Sequence, residues 1–154
     1  MRTLSLPFLH RLSDLAPLAL RLGLGIVFTV HGWQKLDGGP ATGFGGMLTG
    51  LDVPAPEFTA WLVTIAELVG GILLLLGLLT RLATLPLIAT MIGAILLVKT
   101  DVGIIADPGA GAGAELDIAL LAGLVALMLF GPGRVSVDHA MAIEPPARVE
   151  TARR

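Results

Sequence analysis

The sequence predicts an all-α integral membrane protein, a bundle of four spans, and three observations predict it. First, apolar residues make up 55% of the 154 residues and charged residues 14%, with a mean hydropathy of +0.87. A soluble domain carries roughly 25% charged residues. A chain this short has too much surface for its volume to hide so much apolar area inside itself. Second, the apolar residues fall into long runs separated by Gly- and Pro-rich stretches, and ~20 residues suffice to cross the hydrocarbon of a bilayer. Third, the first run, Arg21 to Leu36, carries Arg21, His31 and Lys35 among apolar neighbours. At ~100° per residue, Arg21, Phe28, Gly32 and Lys35 share one arc, with Gly25 and His31 at its edges. A stripe of ionisable groups and glycines predicts that another helix covers it at close range.

Three segments follow from the pattern: a cytoplasmic lead-in, residues 1–14; a four-span domain, residues 15–138; and a polar cytoplasmic tail, residues 139–154. The lead-in is basic, with Pro7 before a Phe8-Leu9 patch suited to the interface. Arg2 and Arg11 resemble a signal peptide, but Arg21 interrupts the apolar run and no small-residue cleavage site follows, so the segment is read as retained. Span one is expected from about Leu15 to Lys35, capped by Ser13 or Asp14, with Pro17 in its first turn and Trp33 near its end. Phe44, Met47, Leu48 and Leu51 then follow i, i+3, i+4, i+7 spacing, predicting a short amphipathic surface helix. Span two is expected over about Glu57–Leu79, with Glu67 near its middle, and span three over about Leu82–Val98, where Pro86 can introduce a kink. A loop with a Gly109–Gly113 run leads to span four, from about Glu115 to Phe130, stopped by Gly131-Pro132-Gly133. The tail carries Pro145-Pro146 and is expected to be disordered at its end.

Composition excludes several functions. The net charge is −2 and no basic patch is interleaved with aromatics, which argues against nucleic acid. The absence of cysteine removes disulfides, thiolate chemistry and Cys-type zinc or iron–sulfur ligation by this chain. His31 is the histidine inside a span, with His10 and His139 outside, so neither a bis-His haem nor a metal site is expected. The Gly109–Gly113 run lacks the lysine and hydroxyl residue of a phosphate loop. Four spans put both termini on one side, together with Arg2, Arg11, Arg81, Arg134, Arg148, Arg153 and Arg154, against Lys35 and Lys99 on the other. The positive-inside rule then predicts cytoplasmic termini in the inner membrane.

An unpaired charge at mid-bilayer costs roughly 2.5–3.5 kcal/mol, so Arg21 and Glu67 need partners or water. Glu67 can face either Arg21 or His31. Such a pair is either glue between two helices or one wall of a polar pocket or proton path, and the two are compatible. His31 suits proton exchange, with an unperturbed pKa near ~6.5. Glu115 and Asp117 open span four, where acids favour the helix N-terminus, and beside the Gly-rich loop they also suit a pocket rim. Ser136 and Asp138 are expected to bond backbone amides in a closing turn.

These residues resemble the DoxX family of small four-span membrane proteins. The likeness lies in Arg21, Gly25, Phe28, His31-Gly32 and Lys35; in Glu67, Gly70-Gly71, Leu74, Gly77 and Thr80-Arg81; and in Gly113, Glu115, Gly131-Pro132-Gly133-Arg134, Ser136 and Asp138, covering roughly residues 18 to 138. The resemblance implies a membrane subunit linked to quinone-dependent sulfur oxidation, or a partner of soluble oxidoreductases in oxidative-stress defence. The expected function is thus a membrane subunit of a redox system that binds a quinone-like or lipid-like ligand between helices. The expected roles are proton handling by His31, Glu67 and Glu115, ligand binding by Arg21, Phe28 and Lys35, and structural support by Gly70, Gly71, Arg81, Arg134, Ser136 and Asp138. A quinone is the expected cofactor, with no group bound covalently. The chain offers protonatable groups but no electron carrier, so electrons would come from a soluble oxidoreductase partner, and homo-oligomers are also considered. The alternative is a non-catalytic scaffold or a small-molecule transporter.

Overall fold

A computed structural model describes residues 15–100, 102–107 and 112–143. The expectations for the lead-in of residues 1–14, for the middle of the Gly-rich run and for the last part of the tail lie outside these residues. The described chain is helical, with no strand among its described residues. Four long helices carry the fold: α1 (Ala16–Asp37), α3 (Pro56–Leu76), α4 (Thr80–Gly93) and α5 (Glu115–Phe130). A short α2 (Gly45–Gly50) lies between α1 and α3, and a four-residue α6 (Val137–Ala140) follows α5. π-helical turns precede α2 at Pro40–Phe44 and extend α4 at Ala94–Val98.

Among the described residues, three helices are long and apolar enough to cross a membrane: Ala16–Asp37, Pro56–Leu76 and Thr80–Val98. α5 starts and ends where the sequence predicts, but its 16 residues amount to ~24 Å, short of the ~30 Å hydrocarbon core. The four-helix bundle is therefore three helices of spanning length completed by a shorter apolar one. In it α1 packs on α3, α3 on α4, α4 on α5, and α5 returns to α1. Leu24, Phe28, Leu74, Leu87, Met91, Leu124 and Leu127 fill the centre. A smaller cluster of Leu48, Val53 and Ala60, with Phe44 against it, fixes α2 onto the start of α3. Most other apolar side chains, Ile26, Ile65, Leu85 and Leu129 among them, point outward, as bilayer-facing residues do.

The α1–α3 seam explains the glycine stripe. A Cβ on Gly32 would stand 2.4 Å from the Leu68 amide nitrogen, one on Gly71 2.5 Å from that of Thr29, and one on Gly25 2.7 Å from Leu75. These contacts share one antiparallel register. At such spacing the backbones touch, and only glycine leaves room.

Element ends differ from the sequence reading for identifiable reasons. α1 has Leu15 as its N-cap residue with no side-chain cap, while Ser13 and Asp14, the expected caps, lie outside the described residues. α3 stops at Leu76 because Gly77 turns left-handed (φ 66°). α4 begins at Thr80, two residues before the expected start. Its cap arrives from the other end of the chain: the Asp138 carboxylate accepts the Leu79 amide (2.7 Å), the Thr80 amide (2.9 Å) and the Thr80 hydroxyl (2.8 Å). These bonds hold Leu79 in the left-handed region (φ 48°), which a side chain bearing Cβ adopts at a penalty of roughly 1–2 kcal/mol. Pro86 sits inside the α-helical stretch, and the departure from α geometry comes after it, at Ala94–Val98.

Candidate functional site

α1 ends its buried stripe with Lys35, and the α1–α3 register brings that residue within one turn of Glu67. The Lys35 ammonium donates to Glu67 Oε2 in a direct ion pair, with side-chain exposures of 20% and 5%. It also lies over the Phe44 ring, 5.2 Å from its centroid, in cation–π geometry. Glu67 therefore pairs with Lys35, which the sequence reading did not consider, rather than with Arg21 or His31. Arg21 is level with the far end of α3, ~18 Å along the axis from Glu67 at ~1.5 Å per residue.

Beside this pair lies a cavity of about 430 Å³. α1 contributes His31 and Lys35, and the segment through α2 contributes Phe44, Met47 and Leu48. α3 contributes Leu62, Ala66 and Glu67, the α4 side Pro86, Ala89, Thr90 and Gly93, and α5 Asp117. Polar groups are few, His31, Lys35, Glu67, Thr90 and Asp117 among them, in a wall that is otherwise apolar. That composition and size are those of a small-molecule site. A smaller cavity of about 280 Å³, lined by Gln34, Gly38 and Gly43, shares His31, Lys35 and Phe44 as a common wall.

His31 is solvent- or lipid-exposed at the edge of the stripe. Its Nδ1 lies 3.1 Å from the Val27 carbonyl. A carbonyl only accepts, so Nδ1 carries the proton and Nε2 is left as the basic atom.

The other expected site residues lie elsewhere. Phe28 is 1% exposed in the bundle core and does not line the cavity. Glu115 is exposed at the start of α5, where its amide donates to the Ile104 carbonyl (3.1 Å), and it too is absent from the cavity wall. Asp117, two residues on and so on another face of α5, lines the cavity instead. Arg21 is buried at the opposite end of the bundle, donating from Nη2 to the Val135 carbonyl, with Asp138 within electrostatic reach. Its guanidinium fills the space a Cβ on Gly77 would need, 1.5 Å from Nη1.

The residues expected to be structural follow suit. Gly70 faces Leu87 and Gly71 faces Thr29. Arg81 donates to the Leu129 carbonyl (3.4 Å) and lies against Gly131. Arg134 is exposed in the turn after α5. Ser136 accepts the His139 amide (3.1 Å) and donates to the Gly133 carbonyl (2.7 Å), a local cap for α6. Asp138 bonds amides as expected, but those of a distant turn. α6 runs across the boundary drawn between residues 138 and 139.

Two wall residues left a trace in the sequence: Phe44, which headed the amphipathic pattern, and Asp117, which with Glu115 was expected to suit a pocket rim beside the Gly-rich loop. Thr90, Ala89 and Gly93 carried none, because only the packing of α4 turns them toward Glu67.

Comparison with known proteins follows the same outline. A family model described as DoxX matches residues 16–100. The chain is 36% identical over 140 residues to a Mycobacterium tuberculosis protein named "Uncharacterized membrane protein Rv3486", covering 86% of this chain and 85% of that one. It is 33% identical over 132 residues to a Bacillus subtilis protein named "Putative oxidoreductase CatD", covering 84% of this chain and 90% of the relative. No solved structure matches it.

Proposed function

The chain belongs to the DoxX family of membrane proteins, and from that premise we propose that it is the membrane subunit of a redox system, binding a quinone-like ligand in the cavity beside Lys35 and Glu67. The observation that carries this reading is the cavity itself: an apolar chamber between membrane helices with one ion pair and one histidine in its wall. A flat ring with two carbonyls and an apolar tail matches it. The ring oxygens need donors, which the Lys35 ammonium supplies, and the rest needs apolar wall. The name of the Bacillus subtilis relative supports a redox role.

The residues act in distinct ways. Lys35 holds a ring oxygen, and Glu67 aims the ammonium through their ion pair. His31 exchanges protons through Nε2. Asp117, rather than Glu115, supplies the acid at the cavity wall. A bound quinone supplies the two-electron chemistry, and a soluble oxidoreductase supplies or takes the electrons. Both termini lie in the cytoplasm, with the Lys35 end of the bundle facing out. A reporter fused after Arg154 then reads as cytoplasmic, and one inserted near Gly109 as external. A reversed pattern at both sites overturns the orientation.

The test of binding is thermal. A short-chain quinone at saturation raises the melting temperature of the purified protein by about 5 °C or more, by mass action. His31→Ala and Glu67→Ala each reduce that shift, whereas Asp138→Ala, which lowers the starting stability, leaves the shift itself intact. No shift in wild-type protein that remains folded leaves the scaffold reading in its place.

A further inference from the structure

The cavity has a side that opens between α3 and α4. Several of its wall residues are also surface residues of the apolar belt: Leu62 is 57% exposed, Leu97 52% and Met47 44%, and Pro86 and Ala89 are exposed as well. The part of the wall contributed by α3 and α4 includes small side chains, Ala66 on α3 and Ala89 and Gly93 on α4, with Ala94 following. Gly93 differs in kind from the seam glycines of α1 and α3. A Cβ there meets nothing within 4 Å, so its lack of a side chain leaves open space rather than a tight contact. Gly93 is 13 residues beyond Thr80 on the helix, or ~20 Å at ~1.5 Å per residue. That level is within the ~30 Å hydrocarbon layer, not above it. His31 and Lys35 line the cavity from α1, where it meets the smaller cavity with Gln34, Gly38 and Gly43, and Glu67 reaches Lys35 from α3.

We propose that the opening between α3 and α4 at Ala89 and Gly93 is a lateral portal, through which a membrane-dissolved ligand inserts its polar ring toward Lys35 and Glu67 while its long apolar tail stays in the bilayer. This rests on the quinone reading above and names the form of the ligand: a ring carried on a lipid-soluble tail, not a water-soluble molecule. The geometry separates two tasks. The ion pair and His31 meet the head group, and the gap over Gly93 gives the tail its exit. A tail confined to a closed chamber of about 430 Å³ would have to fold back on itself. Through the portal its length does not matter.

The experiment uses the full chain in lipid nanodiscs and two probes, a benzoquinone with a decyl tail and the same ring without it. Affinities are expressed per mole fraction of quinone in the membrane. In wild type the two probes bind within about threefold of one another, because the tail contributes little beyond remaining in lipid. Gly93→Phe, which has room for its first atoms and fills the gap, weakens the tailed ring at least tenfold and leaves the tail-less ring within twofold. Gly23→Phe, on an exposed face of α1 where a Cβ also meets nothing, changes neither. A tailed ring that binds Gly93→Phe as it binds wild type overturns the portal. So does an equal loss for both rings, which would put Gly93 in the head-group site. Absence of binding by both rings to wild type overturns the quinone reading itself, and the portal with it.

Discussion

Replacing Lys35 by Met removes the charge that Glu67 faces and keeps the length of the apolar stem. Glu67 is left with a side chain 5% exposed and, among the described residues, no other salt-bridge partner. Breaking a buried ion pair by deleting one partner destabilises by roughly 3–5 kcal/mol, largely through the stranded charge. Glu67→Gln should cost less, about 1–3 kcal/mol, because Lys35 keeps 20% of its side chain exposed and can turn toward water. The double substitution strands nothing, so its loss should be smaller than the sum of the two by about 2 kcal/mol or more. For a chain of this size 1 kcal/mol moves a melting temperature by roughly 2–4 °C. Lys35→Met should then melt about 10 °C below wild type, and the double variant no lower than Lys35→Met alone. The assay is thermal unfolding of purified protein in one detergent, followed by loss of the monodisperse species. Additive losses would refute the pairing. The same cycle with Arg21→Leu and Glu67→Leu should be additive, since these residues are at opposite ends of the seam.

Asp138→Ala should lower stability by about 3 kcal/mol, since it removes three bonds to a buried carboxylate, and Asp138→Asn should restore part of it; protection of the Leu79 and Thr80 amides from hydrogen exchange reports the loss directly. Gly32→Ala and Gly23→Ala should have opposite signs. The first drives a methyl to 2.4 Å from the Leu68 amide and should cost about 2 kcal/mol or more. The second adds helix propensity on an open face and should be neutral or stabilising by up to about 1 kcal/mol. Thermal melts of the two single variants decide it, and equal effects would mean α1 and α3 are not in contact at Gly32.

Most of the architecture was legible because it depends on local pattern. Apolar length set the helices, Gly and Pro set their ends, and the 100° arc of Arg21, Phe28, Gly32 and Lys35 marked the face of α1 that α3 covers. His31 at the edge of that arc is correspondingly exposed. What was not legible depends on the register between helices. Pairing Glu67 with Lys35 requires knowing that Gly32 stands against Leu68 and Gly71 against Thr29. Periodicity on either helix alone leaves the sliding position free. The early start of α4 was hidden for a related reason. Its cap is Asp138, which is 58 residues from Thr80, and no window along the sequence contains both. Glu115 and Asp117 look equivalent as first-turn acids, and only the rotation of α5 against α4 turns one of them into the cavity.

The arrangement around Gly77 bears on how the protein is made. The Arg21 guanidinium, from the first of the described helices, finds its acceptor at the Val135 carbonyl, and the Asp138 amide donates to the Gly77 carbonyl (2.9 Å). Both contacts need chain that is synthesised after the last long helix. Until then α1 sits in the bilayer with a cation whose acceptor at Val135 does not yet exist. Water, lipid phosphate or an insertion factor must hold it in the interval. Synthesis of the segment around Val135 is thus also the moment at which that charge is withdrawn from its surroundings. Nascent chains arrested before Val135 should remain associated with the insertion machinery or be open to membrane proteases. Full-length chains are released from both once the C-terminal turn closes over the α3–α4 corner.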